Sequence, residues 1–409
     1  MNLQIASPLR ARLLTTAIAV AVVALALWRL TGGLAGNPVD RFFSGGASSG
    51  SERVLVSEFG IEADTLWTAP ADKPSQREVV AEVPHAAHYG IYAALSPDGR
   101  FIAYTALSPG LKDAGSDSPA EVWVMGADGS YPRLLATDAD LLIAPTWAPD
   151  SQSLLFRRSR SQENAAGAFE LVRVSLAGEP ADRSGESVLV SAEAALFPVG
   201  FSPDGKQLYY TQLSADGTEL GQVSTGGGPP ALLAHLGDDF TRDWHLSPDG
   251  DRLAFLAPLS AGGGEAGLPA GQAGTLLRAM VLELDGSTDG GRLQPALPAA
   301  DLPAQEFNPI WHPRDDDLTL GRLVLGERSA PALRVDESGL KRLEAPAQGF
   351  DVPLAWSPDG ETLALRSFQG DLDSELGPWH LVLLDAKGQR REVMANSEVS
   401  FVGWTAGDK

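Results

Sequence analysis

The 409-residue chain contains no cysteine, and its 53 acidic against 31 basic residues give a net charge of −22. The lack of cysteine excludes a disulfide framework, a thiolate metal site and a thiol nucleophile. A chain this acidic repels phosphate backbones and anionic lipid surfaces, so we expect no nucleic-acid partner. The 44 glycines and 29 prolines predict a chain rich in turns.

The N-terminal segment contains an uncharged, apolar run from Leu13 to Trp28, bounded by Arg12 and Arg29. Such a run predicts a single-pass signal anchor, with the N-terminus in the cytoplasm and the body outside it, periplasmic or extracellular. The alternative is a cleaved secretory peptide, because Ala24-Leu25-Ala26 fits a small-residue cleavage pattern; the body is then secreted. The anchor interpretation predicts a cytoplasmic N-terminus over 1–12, an anchor over 13–30, a flexible Gly/Ser-rich tether over 31–52 and an exported body over 53–409.

A proline-containing turn recurs six times along the body, as Ser-Pro-Asp-Gly or a close variant. Proline presets φ for a turn, and Asp and Gly accept the backbone conformations that follow it. We therefore assign a structural role to the turn residues, which are Pro97, Asp98, Gly99, Pro149, Asp150, Pro203, Asp204, Gly205, Pro248, Asp249, Gly250, Pro313, Pro358, Asp359 and Gly360.

Large apolar residues keep a fixed register around these prolines. Those five and seven residues after each proline are Ile102, Tyr104, Leu154, Phe156, Leu208, Tyr210, Leu253, Phe255, Leu318, Leu320, Leu363 and Leu365. Because side chains alternate along a strand, each pair shares one face. Every unit thus begins as strand, tight turn, strand, and a second hairpin follows. Four antiparallel strands in about 50 residues are typical of a propeller blade.

We predict an all-β, seven-bladed β-propeller, with six blades as the alternative. Segment 53–83 has the last three strands of a blade, and segment 398–409 has a first strand. The two ends therefore complete one blade, which removes the open sheet edges. The predicted blades are roughly 53–83 plus 398–409, 88–137, 142–191, 196–236, 241–297, 306–345 and 351–395.

With six aligned Ser-Pro-Asp-Gly turns, residues 53–409 resemble the TolB-type β-propeller repeats, the WD-repeat-like group that carries this turn. The resemblance implies a propeller throughout the exported body. Members of this group include the periplasmic protein TolB, the non-peptidase domains of prolyl-oligopeptidase-like enzymes and many unassigned envelope proteins. The resemblance therefore implies a fold and leaves the function open.

Acidic residues cluster in the predicted inter-blade connections. Blade topology puts these connections and the second-to-third-strand loops on one face, and the Ser-Pro-Asp-Gly turns on the other. A ring of carboxylates at the channel mouth predicts a site for a cation or a basic peptide. The alternative is that so acidic a chain has acids in most of its loops. The acids are Asp138, Asp140, Glu193, Asp238, Asp239, Asp301, Glu306, Asp351 and Glu398.

His85 and His88 form an H-x-x-H pattern just before the first strand of a blade. Two imidazoles at this spacing could share a Ca²⁺ or Mn²⁺ ion at the channel mouth with nearby acids. The alternative is a pair of loop histidines bonded to backbone or water.

These patterns favour a non-enzymatic, monomeric propeller that binds a protein or peptide, and a basic one by charge, through its long-loop face. We expect no catalytic residue, no required cofactor, and membrane contact through the N-terminal helix only. One alternative is a metal-assisted lyase or hydrolase with its site at the channel mouth around His85 and His88. Another is a ligand-binding sensory domain.

Overall fold

Seven β-sheets follow one another along the chain, and each sheet forms one blade. The computed structural model describes residues 52–162, 165–177, 183, 185–259, 276–284, 291–370, 378–395 and 398–405. The predicted segments over 1–12 and 13–30, and almost all of the tether over 31–52, lie outside the described residues. Within the described part of the chain, no helix has the length and hydropathy that a membrane span requires.

The first four blades contain strands β1 to β15 and the last strand, β29. Blade 1 has the order β29-β1-β2-β3, so the C-terminal strand is its innermost. The bounds are β1 (Arg53–Glu58), β2 (Ala63–Pro70) and β3 (Glu78–Pro84) in blade 1; β4 (Tyr92–Leu95), β5 (Phe101–Ala106), β6 (Pro119–Gly126) and β7 (Arg133–Asp140) in blade 2; β8 (Thr146–Trp147), β9 (Ser153–Gln162), β10 (Ala165–Ser175) and β11 (Glu186–Ala192) in blade 3; and β12 (Ala195–Phe201), β13 (Gln207–Ser214), β14 (Gly217–Ser224) and β15 (Ala231–Gly237) in blade 4.

The last three blades repeat the same antiparallel order, with β22 as an added strand on the edge of blade 7. The bounds are β16 (Arg242–Leu246), β17 (Arg252–Pro258), β18 (Leu277–Glu283) and β19 (Leu293–Pro295) in blade 5; β20 (Ala304–Trp311), β21 (Leu318–Val324), β23 (Ala332–Asp336) and β24 (Gly339–Arg342) in blade 6; β22 (Ser329–Ala330), β25 (Gly349–Trp356), β26 (Thr362–Phe368), β27 (Trp379–Asp385) and β28 (Arg390–Met394) in blade 7; and β29 (Val399–Thr405), which returns to blade 1.

The core consists of apolar layers between consecutive blades, including a layer between blade 7 and blade 1. The residues five and seven positions after each turn proline are all buried in these layers. β29 pairs with β1, from Val399 opposite Glu58 to Thr405 opposite Arg53. The ring is therefore closed by the chain ends, which confirms the seven-bladed prediction over the six-bladed alternative.

Each Ser-Pro-Asp-Gly turn is held by its own side chains. In blade 2 the Ser96 hydroxyl donates to Asp98 Oδ1 at 2.7 Å, and the Gly99 N–H donates to the Ser96 carbonyl at 2.8 Å. The Phe101 N–H donates to Ser96 Oγ at 2.9 Å, which starts the next strand in register. These bonds explain why the turn recurs as a sequence unit. The same hydroxyl-to-carboxylate bond occurs in Ser202–Asp204, Ser247–Asp249 and Ser357–Asp359.

The turn of blade 6 uses His312 in place of serine. Its Nδ1 accepts the N–H groups of Arg314 and Asp315, and its Nε2 donates to the Gly360 carbonyl of blade 7 at 3.1 Å. Burial lowers the pKa of His312, which agrees with a neutral ring that carries its proton on Nε2. The imidazole therefore ties two neighbouring turns together.

Gly360 should be intolerant of a side chain. Its φ is 73°, and an added Cβ would lie 2.6 Å from the His312 ring. Gly326 is a matched control, because its φ is 82° and nothing lies within 4 Å of an added Cβ. We expect Gly326→Ala to cost about 1 kcal/mol of backbone strain, and Gly360→Ala about 2–4 kcal/mol because a steric clash is added. Urea unfolding measures both, and equal losses would contradict the interlocked turns.

The stability of the closed ring should depend on Glu52. Burial, and after it the charge of Asp359, raise the pKa of Glu52 from 4.5 to about 7. The folded chain then binds this proton more tightly than the unfolded chain, so stability falls as pH rises from 4.5 through about 7. We expect Glu52→Gln to stabilise the protein at pH 8 by about 1 kcal/mol, after a discount for partial exposure, and not at pH 4.

The control for Glu52 is Glu337→Gln, which changes an exposed acid in the turn between β23 and β24. It should leave the free energy of unfolding unchanged at both pH values. A Glu52→Gln protein that is less stable than the parent at pH 8 would contradict the raised pKa of Glu52.

Candidate functional site

The innermost strands begin at the end of the ring that carries the inter-blade connections. Strand β22 lies in the loop between β21 and β23, and it pairs in parallel with the start of β25, Ser329 opposite Gly349. The second-to-third-strand loops therefore share one end of the ring with the inter-blade connections, such as 238–241. We call this end the connection face, and the end with the Ser-Pro-Asp-Gly turns the turn face.

Five innermost strands, β12, β16, β20, β25 and β29, carry a register shift within the strand, ahead of the turn that follows it. In β16 and β20 the shift includes Asp243 (φ 54°) and Asn308 (φ 32°), each five residues before a turn proline. Asp and Asn accept this left-handed region more readily than other non-glycine residues. Bulges re-aim side chains and are common beside functional sites. In β16 and β20 the sequence signal is an Asp or Asn at this position, whereas β12 and β25 have Pro198 and Pro353 there.

Asp351, one of the predicted acids, is fully buried and paired. Arg390 donates to its two carboxylate oxygens at 2.7 and 2.8 Å, and also to Ser367 Oγ at 3.1 Å. Burial raises the pKa of Asp351, and the bonds and charge of Arg390 oppose that rise. This carboxylate therefore holds blade 7 together.

Two more of the predicted acids face arginines. Asp140 pairs with Arg157, whose burial lowers the guanidinium pKa while Asp140 opposes the change. Glu306 lies 3.4 Å from Arg322 and accepts the Ala279 N–H at 2.7 Å. Both pairs lie between neighbouring strands or blades, so these acids also have structural roles.

The remaining predicted acids are at the surface of the connection face. Asp138 forms an ion pair with Arg183, and Asp238 lies 3.1 Å from His235. The structure thus divides the predicted ring into four acids with arginine partners, of which only Glu306 and Asp351 are buried, and a set of exposed acids. In the described part of the chain, no group of three or more His, Asp or Glu side chains is arranged to hold a metal. The exposed acids are Glu193, Asp238, Asp239, Asp301 and Glu398.

The two predicted metal ligands differ in environment. His85 is buried, and its Nε2 lies 2.9 Å from Asp64 Oδ1 while its Nδ1 lies 2.9 Å from the Ala86 carbonyl. Asp64 also accepts the N–H groups of Gly60 and Ile91, so it fastens the start of β2 to the connection that follows blade 1. His88 is exposed. The metal site at these residues stays a prediction.

A cluster of three aromatic side chains lies at the start of the innermost strands of blades 4 and 5. Phe197, Phe240 and Trp244, which we call the aromatic cluster, have ring centroids 5.4–5.7 Å apart, and all three are half-buried. Arg157 lies over Phe197, 4.8 Å from its centroid. Aromatic pairs at such distances stabilise one another beyond the area they bury.

Hydrogen bonds from Thr218 and Thr241 fix the connection that carries this cluster. Thr218 donates to the Asp239 carbonyl at 2.8 Å and accepts the Thr241 N–H at 3.1 Å. The Trp244 indole N–H donates to Thr241 Oγ1 at 2.8 Å. The connection is thus held in one shape, with the side chains of Asp238 and Asp239 exposed beside the aromatic cluster.

A second polar group connects blades 5, 6 and 7. His245 Nε2 donates to Asn308 Oδ1 at 3.1 Å, and Asn308 Nδ2 donates to the Pro353 carbonyl at 2.6 Å. Burial lowers the pKa of His245, which keeps the imidazole neutral. These two bonds link the bulge of β16 to the bulge of β25.

Comparison with known proteins identifies a fold and no family. No family model and no curated protein matches the chain. A structure of prolyl endopeptidases is 16% identical, with a TM-score of 0.57, and covers 97% of this chain and 56% of that one. The periplasmic gluconolactonase of Pseudomonas aeruginosa is 16% identical, with a TM-score of 0.54, over 87% of this chain and 99% of that one.

TolB from Acinetobacter baumannii is also among the structural neighbours. It is 18% identical, with a TM-score of 0.45, and covers 75% of this chain and 66% of that one. The chain therefore spans less than two thirds of TolB and of the prolyl endopeptidase. At these identities the similarity to the prolyl endopeptidase and to the gluconolactonase shows a shared fold and nothing finer.

The buried pair of Asp351 and Arg390 can be tested by removing the cation. We expect Arg390→Met to destabilise the protein by about 3 kcal/mol at pH 8, because Asp351 is then buried without its partner. The loss should shrink as the pH falls, since protonation removes the buried charge. The control Arg391→Met breaks the half-buried pair with Asp385 and should cost no more than about 1 kcal/mol. Equal losses would contradict a structural role for Asp351.

Proposed function

We propose that this propeller binds a segment of another protein on its connection face, centred on the aromatic cluster of Phe197, Phe240 and Trp244. The observation that carries this proposal is a half-buried aromatic group, fixed by hydrogen bonds, with exposed carboxylates around it. The segment recognised would present an aromatic or aliphatic side chain flanked by Lys or Arg.

Packing energetics favour the aromatic cluster as the anchor of such an interface. Aromatic residues and arginine dominate the binding energy of protein interfaces, near the centre of the contact. Trp244 and Phe240 are already held by their neighbours, so little conformational entropy is lost when a partner packs on them. Arg157 is itself fixed by Asp140 and by the Leu196 carbonyl.

The exposed carboxylates of the connection face favour a positively charged partner. Asp238, Asp239 and Glu193 precede the aromatic cluster in the two inter-blade connections, and all three are exposed. The whole chain carries −22, so a basic segment is attracted over a long range and its association slows as salt rises. The buried predicted acids, neutralised by arginine, would contribute to the platform and not to recognition.

The cellular setting of the proposal follows from the N-terminal sequence. The predicted anchor over 13–30 would tether the propeller to a membrane as a single-pass segment, with residues 53–409 outside the cytoplasm as a monomeric, non-catalytic module. The gluconolactonase of similar fold is a periplasmic protein, which agrees with this proposed setting. The alternative of a metal-assisted hydrolase or lyase would be supported by stoichiometric bound Mn²⁺ or Ca²⁺ that is lost in His88→Ala.

A selection from a random nonapeptide library tests the proposed partner chemistry. We expect enriched peptides to combine an aromatic or aliphatic residue with flanking Lys or Arg, and to bind more weakly as salt rises. Trp244→Ala and Phe240→Ala should each weaken binding of the enriched peptide at least about tenfold, as for central anchor residues. The double variant Asp238→Asn with Asp239→Asn should mainly slow association, measured by surface plasmon resonance.

The matched control for charge is Glu337→Gln with Glu361→Gln, which removes two exposed acids from the turn face. It should leave the association rate close to that of the parent. Enrichment of acidic peptides, or equal binding by Trp244→Ala, would refute the proposal.

A further inference from the structure

Tryptophan side chains at one position of the repeat connect neighbouring blades by hydrogen bonds. The position is two residues before the turn proline, at the end of an innermost strand. Trp147 of blade 3 donates its indole N–H to the Ala94 carbonyl of blade 2 at 3.0 Å. Trp311 of blade 6 donates to the His245 carbonyl of blade 5 at 2.9 Å. Ala94 and His245 each stand three residues before the proline of their own blade, so the bond follows the repeat.

At the junction of blades 7 and 1, the corresponding indole lacks this bond. Trp404 lies near the end of β29, the innermost strand of blade 1, and is buried in the apolar layer against blade 7. Ala355, three residues before Pro358, carries the corresponding carbonyl in blade 7. In the described part of the chain, Trp404 Nε1 has no hydrogen-bond partner. A buried donor without an acceptor costs the folded state free energy that exposure to water would recover.

Two further side chains of the same layer have unsatisfied donors. Trp67 is buried in the layer, and its indole N–H finds no acceptor within the described ranges. Arg366 stands two residues after Ala364, a member of the layer, so alternation along β26 puts both side chains on one face. Its guanidinium group is stacked 4.3 Å over the Trp379 ring, but Nε and Nη1 have no acceptor among the residues that the structure describes. Water could satisfy all of these donors if the layer opened.

At the turn face, the same junction ends on two carboxyl groups. Glu52, the residue before β1, accepts the Asp359 N–H of blade 7 at 3.3 Å. Burial and, after it, the charge of Asp359 raise the pKa of Glu52 to about 7, so the two carboxylates repel each other when both are ionised. At the junction of blades 6 and 7, by contrast, His312 ties the two turns together by its bond to the Gly360 carbonyl.

We propose that the folded ring opens reversibly at the junction of blades 7 and 1, which we call the seam, while the layers between the other blades stay closed. Opening admits water to the unsatisfied donors, and each blade keeps its own strand pairing. Blade 1 moves as a complete unit, because β29 and β1 are paired within it. The seam is thus the place where the inner side of the ring first becomes open to solvent. This inference does not depend on the proposed peptide site.

Thiol labelling tests the seam, because the chain contains no cysteine and a single introduced thiol reports on a single layer. Ala364, Ala254 and Ala103 each stand six residues after a turn proline, and all three are fully buried. Ala364 lies in the seam, whereas Ala254 lies between blades 5 and 6, and Ala103 lies between blades 2 and 3. Replacement by cysteine therefore adds the same atom at the same register of three different layers.

The three full-length cysteine proteins are treated with excess iodoacetamide at pH 8, and mass spectrometry follows the labelled fraction. We expect the Ala364→Cys protein to be labelled at least about tenfold faster than the other two, because its layer contains the unsatisfied donors. Its labelling rate should change little with low concentrations of urea, since separation of two blades exposes less surface than global unfolding does. The control rates should rise steeply. Urea unfolding of each protein corrects for differences in global stability.

Two tryptophan replacements connect the opening to the missing indole bond. Trp147→Phe in the Ala103→Cys protein removes a bonded indole. Trp404→Phe in the Ala364→Cys protein removes an indole without an acceptor in the described chain. Both replacements remove the same part of the ring system, so the loss of apolar contact is similar. We expect Trp147→Phe to accelerate labelling in its own layer at least about fivefold more than Trp404→Phe does at the seam, because the Ala94 carbonyl is left unsatisfied.

Three results would overturn the proposal. The first is similar labelling of the three cysteine proteins after correction for global stability. The second is a urea dependence at the seam as steep as in the control layers, since the seam would then open only when the whole chain unfolds. The third is an equal acceleration by the two tryptophan replacements, because the Trp404 indole would then be as well bonded as that of Trp147.

Discussion

The pairing of β29 with β1 is the constraint on which the rest of the molecule depends. It joins the two ends of the body into blade 1 and gives that blade the innermost strand it would otherwise lack. Every apolar layer then has a blade on each side. The aromatic cluster contains residues from blades 4 and 5. The hydrogen-bonded group of His245, Asn308 and Pro353 connects blades 5, 6 and 7. Their geometry therefore relies on a complete ring, because an open stack of sheets could spread apart at its free edges.

The sequence predicts the fold well because one unit, a strand, a tight turn and a second strand, is repeated along the chain. Ser96 and Asp98 satisfy the backbone of a tight turn, and the apolar residues after the turn fill the layer between blades. Because the unit occurs six times, the positions of its strands relative to the turn proline can be predicted from the sequence alone. Blade 1 was predictable for the same reason: its missing first strand and the unpaired final segment are complementary.

The candidate sites were much less accessible from sequence, because they consist of residues that break the repeat. The sequence predicts Asp351 in an inter-blade connection, whereas the structure has it buried inside β25. Its bidentate contact with Arg390 involves a residue 39 positions away that no sequence pattern connects to it. From the sequence alone, Phe240 and Trp244 cannot be distinguished from ordinary apolar core residues. Arg157 and Arg366 are the visible exceptions, since the other four units have Thr, Leu or Gly eight positions after the turn proline. The sequence alone does not show which groups surround these two guanidinium groups.

The left-handed residues Asp243 and Asn308 have a consequence for how the inner strands would open. Their backbone strain is present in the folded chain, and it is maintained by the hydrogen bonds between blades. Loss of the bond between His245 and Asn308 would remove this support from two blades at once. The bulges of β16 and β20 would then loosen together, as one cooperative unit, and not strand by strand.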